Sequence, residues 1–434
     1  MSFDPFEELA AARSRGRARG LYSVCSSHPL VLEAAVRRAA GNGLPILVEA
    51  TANQVNQEGG YTGMKPADFA SRLGALRERY GVEAGLVTFG GDHLGPHPWR
   101  KLPAELAMAK AETLVRAFVA AGARKIHLDA SMALGGDEGA SPPPAVVAAR
   151  AARLCAAAED EYRSTAAGRS PAAPPVYVIG TEVPVPGGVS AEGPEGPVPT
   201  KSEDFLATVS LHEELFRDAG LAEAWKRVLA VVVQPGVEFD STGLSPYRRT
   251  LASGLREARS AARGPWFEAH STDYQSDDAL RELVEDGFAF LKVGPALTFA
   301  LREALFGLSA IESELRGASD APLKAALREA MLADDAYWKD YYPRGDAMAL
   351  LYSLSDRARY DWDKPGPSAA AERLFAALGD APIPAGLLSQ HLPRLGGAHG
   401  ALAAAGMSAR ELAMAAVDSE LGRYEAACFP GTGE

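Results

Sequence analysis

The sequence predicts a single (β/α)8 TIM barrel with a helical C-terminal extension. Three observations carry this: short β-rich runs alternate with helical periodicity, those runs number eight, and strand signals stop after about Leu315. The pattern is clearest from Ala104 to Asp129, where AELAMAKAETLVRAFVAA has helical spacing, Gly122 can cap it, and RKIHLD reads as a buried strand. Helix, glycine turn and strand recur at Leu30 to Thr51 and at Ala279 to Gly294.

In chain order the expected strands are Gly20 to Cys25, Pro45 to Ala50, Ala84 to Gly90, Arg124 to Asp129, Val176 to Thr181, Arg227 to Gln234, Pro265 to His270 and Phe288 to Val293. Eight strands in about 300 residues fit a barrel, whereas a doubly wound sheet usually has fewer. Two stretches break the pattern, Thr165 to Pro175 and Val183 to Thr200, where proline and glycine forbid regular structure. The second begins at a strand's C-terminal end, the place for a functional loop. Residues 1–315 are assigned to the barrel and residues 316–434 to the extension, in which LKAALREAML, AYWKDYYP, LLYSLSDRARYDW and SARELAMAAVDSELGRYEAAC read as helices.

Composition narrows the function. The 434 residues carry 44 Lys+Arg against 56 Asp+Glu, a net charge of −12, with no basic block to restore a positive field locally, so nucleic acid is not an expected partner. No apolar run approaches a membrane span, and the N-terminus has no hydrophobic targeting core. The three cysteines, Cys25, Cys155 and Cys428, are far apart and lack CxxC spacing, which points to a reducing cytoplasm. There is no GxxxxGK[ST] loop for a nucleotide, and no GxGxxG unit for a nicotinamide cofactor after any strand.

Barrel enzymes carry their chemistry at strand C-termini. Here those ends hold Ser26, Ser27 and His28; Glu49, Asn53 and Gln54; Asp92 and His93; His127 and Asp129; Glu182; Gln234; His270 and Asp273; and Lys292. Four of the eight histidines fall on strand ends. Histidine and carboxylate converging on one pocket suit a divalent metal acting as Lewis acid, with a spare carboxylate to move protons. Asp92 and His93 are adjacent and would face opposite ways on a regular strand; Gly90 and Gly91 are expected to relax that constraint. The alternative for this pair is a helix cap. His127 and Asp129 share a strand face, as ligands or as structural hydrogen-bonding groups. Glu182 is read as acid/base or ligand, against a salt bridge to Lys292. Glu49, deeper in its strand, is read as structural. Lys292 could form a Schiff base, but the histidines argue against it, and binding a phosphate or carboxylate suits it better.

The segments YSVCSSHPLVLEAA, EATANQVNQEGGYTGMKPADF, GGDHLGP, AMAKAE, KIHLDAS, GTEVPVPGG, VVQPGVEFD, FEAHSTDYQ, LKVGPALTFALREALF, YSLSDRARYDW and LLSQHLP span nearly the whole chain. Together they resemble the Z-type (Gat and Kba) subunit family of class II D-tagatose-1,6-bisphosphate aldolase, which includes relatives linked to ketose C4 epimerisation. The resemblance implies a class II aldolase-like barrel, a ketose or ketose phosphate as ligand, and a divalent metal: zinc first, with manganese, nickel or cobalt as alternatives. It also implies a Y-type aldolase subunit as a candidate partner, and leaves homo-oligomerisation open.

In class II aldolases an Asp-His pair follows the third strand, the Asp as acid/base and the His as metal ligand, with further histidine ligands after strands six and seven. Asp92, His93 and His270 match that pattern, but the sixth strand ends in Gln234. An amide oxygen binds zinc more weakly than imidazole, so the site is either weaker or completed by Glu182 or His127. The expected ligands are therefore His93, His270, Gln234 and His127, and the expected catalytic groups Asp92, Glu182 and Asp129. Ser27, Asn53, Gln54, Asp273, Lys292, Arg357 and Arg359 are expected to bind substrate, the last two because an arginine pair in Ser355 to Trp362 matches phosphate. Two functions follow: an enzyme that activates the C3–C4 bond of a ketohexose or its phosphate, epimerising C4 or cleaving the sugar, or a barrel that stabilises a partner aldolase without turnover.

Overall fold

Eight parallel strands close into a barrel in a computed structural model that describes residues 3–139, 141–166, 173–180, 197–262, 264–317, 322–342, 346–379 and 381–431. In chain order the strands are β1 (Leu21–Val24), β2 (Ile46–Thr51), β3 (Val87–Leu94), β4 (Lys125–Leu128), β5 (Val176–Ile179), β6 (Val228–Val232), β7 (Glu238–Phe239), β8 (Leu244–Ser245), β9 (Trp266–Ala269) and β10 (Phe288–Val293). The barrel order is β1-β10-β9-β6-β5-β4-β3-β2, while β7 and β8 pair antiparallel in the connection after β6. All eight expected strands are present. They read as nearly unbroken apolar runs because the surrounding helices cover one face and the barrel interior the other.

The helices between strands begin and end on local chemistry. Pro29, Pro66 and Pro295 occupy first-turn positions where no amide hydrogen is needed, and Gly43 (φ 64°) closes the helix Pro29–Asn42 in the left-handed region. One helix was not legible in the sequence: Pro5–Ser14 plugs the N-terminal end of the barrel. Its cap Asp4 pairs with Arg124 at 2.8 Å, Phe6 lies against Phe290, and Arg13 Nη2 donates to the carbonyls of Val284 and Phe288.

β3 differs from expectation in an instructive way. It runs past Gly90 to Leu94, and its register with β4 shifts between Gly91 and Leu94. The backbone that turns Asp92 and His93 toward the same mouth is therefore a bulge with His93 itself at φ 47°, while Gly90 and Gly91 have no positive φ. The glycines serve close packing instead. A β-carbon on Gly91 would lie 2.3 Å from Leu94 Cδ1, and one on Gly95 would lie 1.6 Å from the Asp129 carbonyl oxygen.

The extension is stitched to the barrel. Helix Ala409–Cys428 opens with a Ser408/Glu411 capping box and packs on helices Pro29–Asn42, Asp277–Glu285 and Pro295–Arg316, and the Cys428 carbonyl accepts from the Gly20 amide that leads into β1. The helices at 322–333 and 409–428 match expectation, but AYWKDYY (336–342) forms turns and a bend and LLYSLSDRARYDW only one short α-helix (Ala347–Tyr352) and a 3-10 turn (Arg357–Tyr360). Side-chain bonds compete with the helix ladder there: Trp338 Nε1 donates to Met331 O at 2.7 Å, and the Tyr342 hydroxyl donates to Ser355 O while accepting from the Arg357 amide. Of the two Pro/Gly-rich stretches, residues 167–172 and 183–196 lie outside the described residues. Among the described residues, no helix is long and apolar enough to cross a membrane.

Because β3 and β4 touch at Gly95, Gly95→Ala should lower stability by roughly 1 to 3 kcal/mol, the usual cost of overpacking, and disturb the His93 and Asp129 ends of both strands. Urea unfolding checks this through a lower midpoint at unchanged slope; an unchanged midpoint would show that the two strand ends can move apart freely.

Candidate active site

Inward-facing residues alternate along each strand, so Lys125 and His127 of β4 share one face with Asp129, as Glu268 of β9 does with His270. Those alternations build a polar barrel interior. Lys125 Nζ, with no exposed side-chain surface, bridges Glu49 Oε1 at 2.8 Å and Glu268 Oε2 at 2.7 Å. Lys292 Nζ lies 2.6 Å from Glu49 Oε2, 2.6 Å from Asp92 Oδ1 and 3.5 Å from Glu268 Oε1. Two ammonium groups thus pair with three carboxylates away from water, as buried charges require, and leave one unit of negative charge facing the histidines. Burial opposes the charge on Lys292, but Asp92, Glu268 and Glu49 overcome it and hold its pKa well above the ordinary lysine value. A lysine held protonated by three carboxylates lacks the free amine lone pair that an imine requires. Burial likewise works to raise the Glu268 carboxyl, and Lys125 and Lys292 pull it well below its usual range.

Above this layer three imidazoles converge. Ring centroids are 4.8 Å apart for His93 and His127, 4.8 Å for His93 and His270, and 5.4 Å for His127 and His270. Each of Asp92, His93, His127 and His270 offers one donor atom to a common space, all within 4.8 Å of one another. Two of the rings are oriented by carboxylates. His93 Nδ1 lies 2.8 Å from Asp129 Oδ2, and His270 Nε2 lies 2.9 Å from Glu268 Oε1. When those nitrogens carry the protons, the opposite nitrogen of each ring has a free lone pair, the arrangement typical of a metal-binding histidine. His127 Nδ1 sits 3.1 Å from Asp92 Oδ1 and 3.2 Å from the His93 amide nitrogen, so its tautomer decides whether it donates to the carboxylate or accepts from the amide.

The acid–base states of the cluster are unequal. Burial pushes His270 down to about 3, whereas for His93 the neighbouring Asp92 and Asp129 outweigh burial and raise it. Burial would raise Asp92, but the His93 and Lys292 charges hold it well below the ordinary carboxylate range. Asp129 is also held below that range, against burial, by its hydrogen bond to His93, and it accepts from the Ser131 hydroxyl and amide as well. In this geometry Asp129 orients a histidine, and is not the free acid/base expected from the sequence.

Other expected residues are placed differently. Gln234 does not join the cluster, because its Oε1 accepts from the Gly236 and Val237 amides and fixes the turn after β6; His127 takes the place it was expected to share. Asp273 Oδ1 caps the helix after β10 through the Gly294 and Ala296 amides, a structural task that withdraws that oxygen from the mouth. His28 caps its own helix by accepting from Leu30 N, with burial pushing it down to about 4. Glu182 lies outside the described residues.

At the rim, Ser27 and Gln54 lie close to the Tyr61 hydroxyl and favour its ionised form against burial, which raises it, and Asn53 Nδ2 lies 3.3 Å from His97 Nδ1. The extension reaches this rim: Tyr360 packs edge-on against Tyr61 at 4.9 Å, and Arg359 Nη2 donates to the Tyr360 hydroxyl at 3.0 Å. Arg357 stacks on Tyr341 at 3.4 Å, with Nε and Nη2 buried and unpartnered. Burial would raise the Tyr360 phenol, but Arg359 and Arg357 lower it. Asp356 anchors the segment from below by accepting from Thr298 Oγ1 at 2.5 Å and from Arg302. Lys125, Glu268, Tyr61 and Asp356 were missed in the sequence; the first two could have been found from their period of two with His127 and His270.

Fold and site together define a (β/α)8 barrel with a candidate metal centre at its mouth, built of histidines oriented by carboxylates. The chain matches the family described as D-tagatose-1,6-bisphosphate aldolase subunit GatZ/KbaZ-like over residues 6–429, and it belongs to that family. It is 46% identical over 429 residues, covering 98% of each chain, to a D-tagatose 6-phosphate 4-epimerase of Agrobacterium fabrum (strain C58 / ATCC 33970). A crystal structure of a probable tagatose 6 phosphate kinase from Sinorhizobium meliloti 1021 superposes with a TM-score of 0.84 at 45% identity, covering 94% of this chain and 100% of that one.

The donor set of three imidazoles and a carboxylate fits a divalent ion. His93→Ala should accordingly lose the metal that the parent chain retains after dialysis, by elemental analysis; equal content in both would remove His93 from the site. A ligand histidine must be neutral, so protons compete with the metal once pH falls below the raised pKa of His93 and apparent metal affinity should drop from there downward, while His270, at about 3, adds no competition near neutrality. Histidine NMR of the metal-free protein should show His93 titrating above the ordinary value of about 6.5, and protonation of His270 before His93 would contradict this reading.

Proposed function

We propose that the chain is a metal-dependent enzyme acting on a ketohexose phosphate, interconverting C4 epimers by breaking and re-forming the C3–C4 bond. The observation that carries this reading is the oriented cluster of Asp92, His93, His127 and His270, in which Asp129 and Glu268 fix the rings. A pure scaffold has no physical need for such a set. The relative named as a D-tagatose 6-phosphate 4-epimerase supports the substrate class, tagatose and fructose 6-phosphates.

His93, His127 and His270, with Asp92 nearby, would hold the metal, whose chemistry when bound is Lewis-acid stabilisation of negative charge developing on the ketose oxygens. Zinc suits this nitrogen-rich set best, and manganese, nickel or cobalt would also be accommodated. Asp92, ionised at neutral pH, is the group placed to take the C4 hydroxyl proton, and Lys292 at 2.6 Å steadies its charge. Loss of that proton breaks the C3–C4 bond to an enediolate and an aldehyde. Rotation of the retained aldehyde followed by re-addition inverts C4, and escape of the aldehyde is aldol cleavage. Arg357 and Arg359 at the rim supply the cations for the phosphate, with Ser27, Asn53 and Gln54 available to the sugar hydroxyls.

The family description includes the word subunit, which favours a second reading: a barrel that stabilises a Y-type aldolase partner without turnover. The purified chain alone separates the two. Incubated with zinc, manganese or nickel on tagatose 6-phosphate, it should form fructose 6-phosphate and lose that activity with EDTA. Activity only on adding a Y-type aldolase would favour the stabilising subunit.

Within the enzymatic reading, Arg357→Ala and Arg359→Ala should raise KM for a phosphorylated ketose far more than for the free sugar. The expected loss is roughly 1.5 to 3 kcal/mol, as for a hydrogen bond to a charged group. Equal effects on both sugars would assign the segment to docking or folding.

A further inference from the structure

At the end of the barrel opposite the histidines, a cavity of about 870 Å³ opens between the N-terminal helix, the helix Ser253–Ala262 and the turn at Glu285–Gly287. Its wall includes Arg13, Arg17, Arg256, Arg259 and Trp266. The Arg13 and Arg259 guanidinium carbons lie 5.9 and 5.6 Å from the centre of the Trp266 ring, and the Nε atoms of both arginines are buried without a partner. Among the described residues neither forms an ion pair with a carboxylate. Arg13 bonds only the neutral carbonyls of Val284 and Phe288.

The nearby acids do not compensate. Asp286 pairs with Arg249 and Arg256 and accepts from the Tyr247 hydroxyl, Glu285 pairs with Arg249 and Arg281, and Glu257 stands exposed on the wall. Two guanidinium groups are therefore gathered around one indole and left without counter-charge, in a protein whose net charge is −12. Burial pushes the Arg13 guanidinium down to about 10; Cys428 opposes the shift and the Arg259 charge adds to it.

We propose that this cavity is a binding site for the phosphoryl group of a small phosphorylated metabolite, held between Arg13 and Arg259 beside Trp266 at the face remote from the chemistry. A phosphate dianion would supply the counter-charge that both guanidinium groups lack. The space suits a molecule larger than the free ion, and the indole offers an apolar wall for its carbon skeleton. The proposal stands independently of the function assigned to the barrel mouth.

The test is titration of the intact protein with inorganic phosphate and pyrophosphate, followed by heat and by tryptophan fluorescence. Saturable binding is expected in the parent and in Arg357→Gln, which removes a cation from the mouth. Arg259→Gln should weaken it at least about tenfold with far-UV circular dichroism and basal turnover unchanged, and Trp266→Phe should abolish the fluorescence change while keeping the heat. Absence of saturable binding in the parent would overturn the proposal. So would binding that survives Arg259→Gln but disappears in Arg357→Gln, which would place all of the phosphate at the mouth.

Discussion

The site depends on charge pairing inside the barrel. Glu49, Lys125, Glu268, Lys292 and Asp92 come from five different strands, and each needs the others because all five are buried. Removing one partner would leave an unpaired charge in a low-dielectric interior, so the set constrains the mutual register of β2, β3, β4, β9 and β10. Asp92 and Glu268 belong both to this layer and to the histidine layer above it. The same contacts that make the barrel interior tolerable thereby aim the chemistry.

That coupling gives the two oriented histidines different surroundings. Asp129 and Asp92 favour the charged form of His93, while His270, facing Glu268 whose charge is already matched by two lysines, is dominated by burial and stays neutral. A metal centre gains rigid rings from both carboxylates; His270 presents its lone pair without a competing proton, whereas at His93 a metal must displace one. The left-handed backbone at His93 is the local cost of bringing two consecutive residues to one mouth, and the bulge beside β4 absorbs it.

The extension completes the mouth. Through Asp356, fixed by Thr298 and Arg302, the turn Arg357–Tyr360 is set against Tyr61 in the loop after β2. The final helix returns to Gly20 at the start of β1, so the rim residues are held by packing along the whole barrel wall. Arg357 and Arg359 owe their position to contacts more than fifty residues upstream in the helix after β10 and nearly three hundred upstream in the loop after β2.

The sequence by itself determined the barrel, its eight strands and the convergence of Asp92, His93, His127 and His270, because period and strand-end position are local properties that any (β/α)8 chain must display. Period two also carried Lys125 and Glu268, though their meaning required knowing which charges they would meet. Tertiary structure alone decided what each polar group does. Gln234 and Asp273 look like site residues at strand ends, yet backbone amides two or more residues onward claim their oxygens, whereas Asp129 is claimed by His93 across the strand pair. A short polar side chain at a strand end can serve its own backbone, a neighbouring side chain or a ligand, and only the distances between elements remote in sequence choose among them.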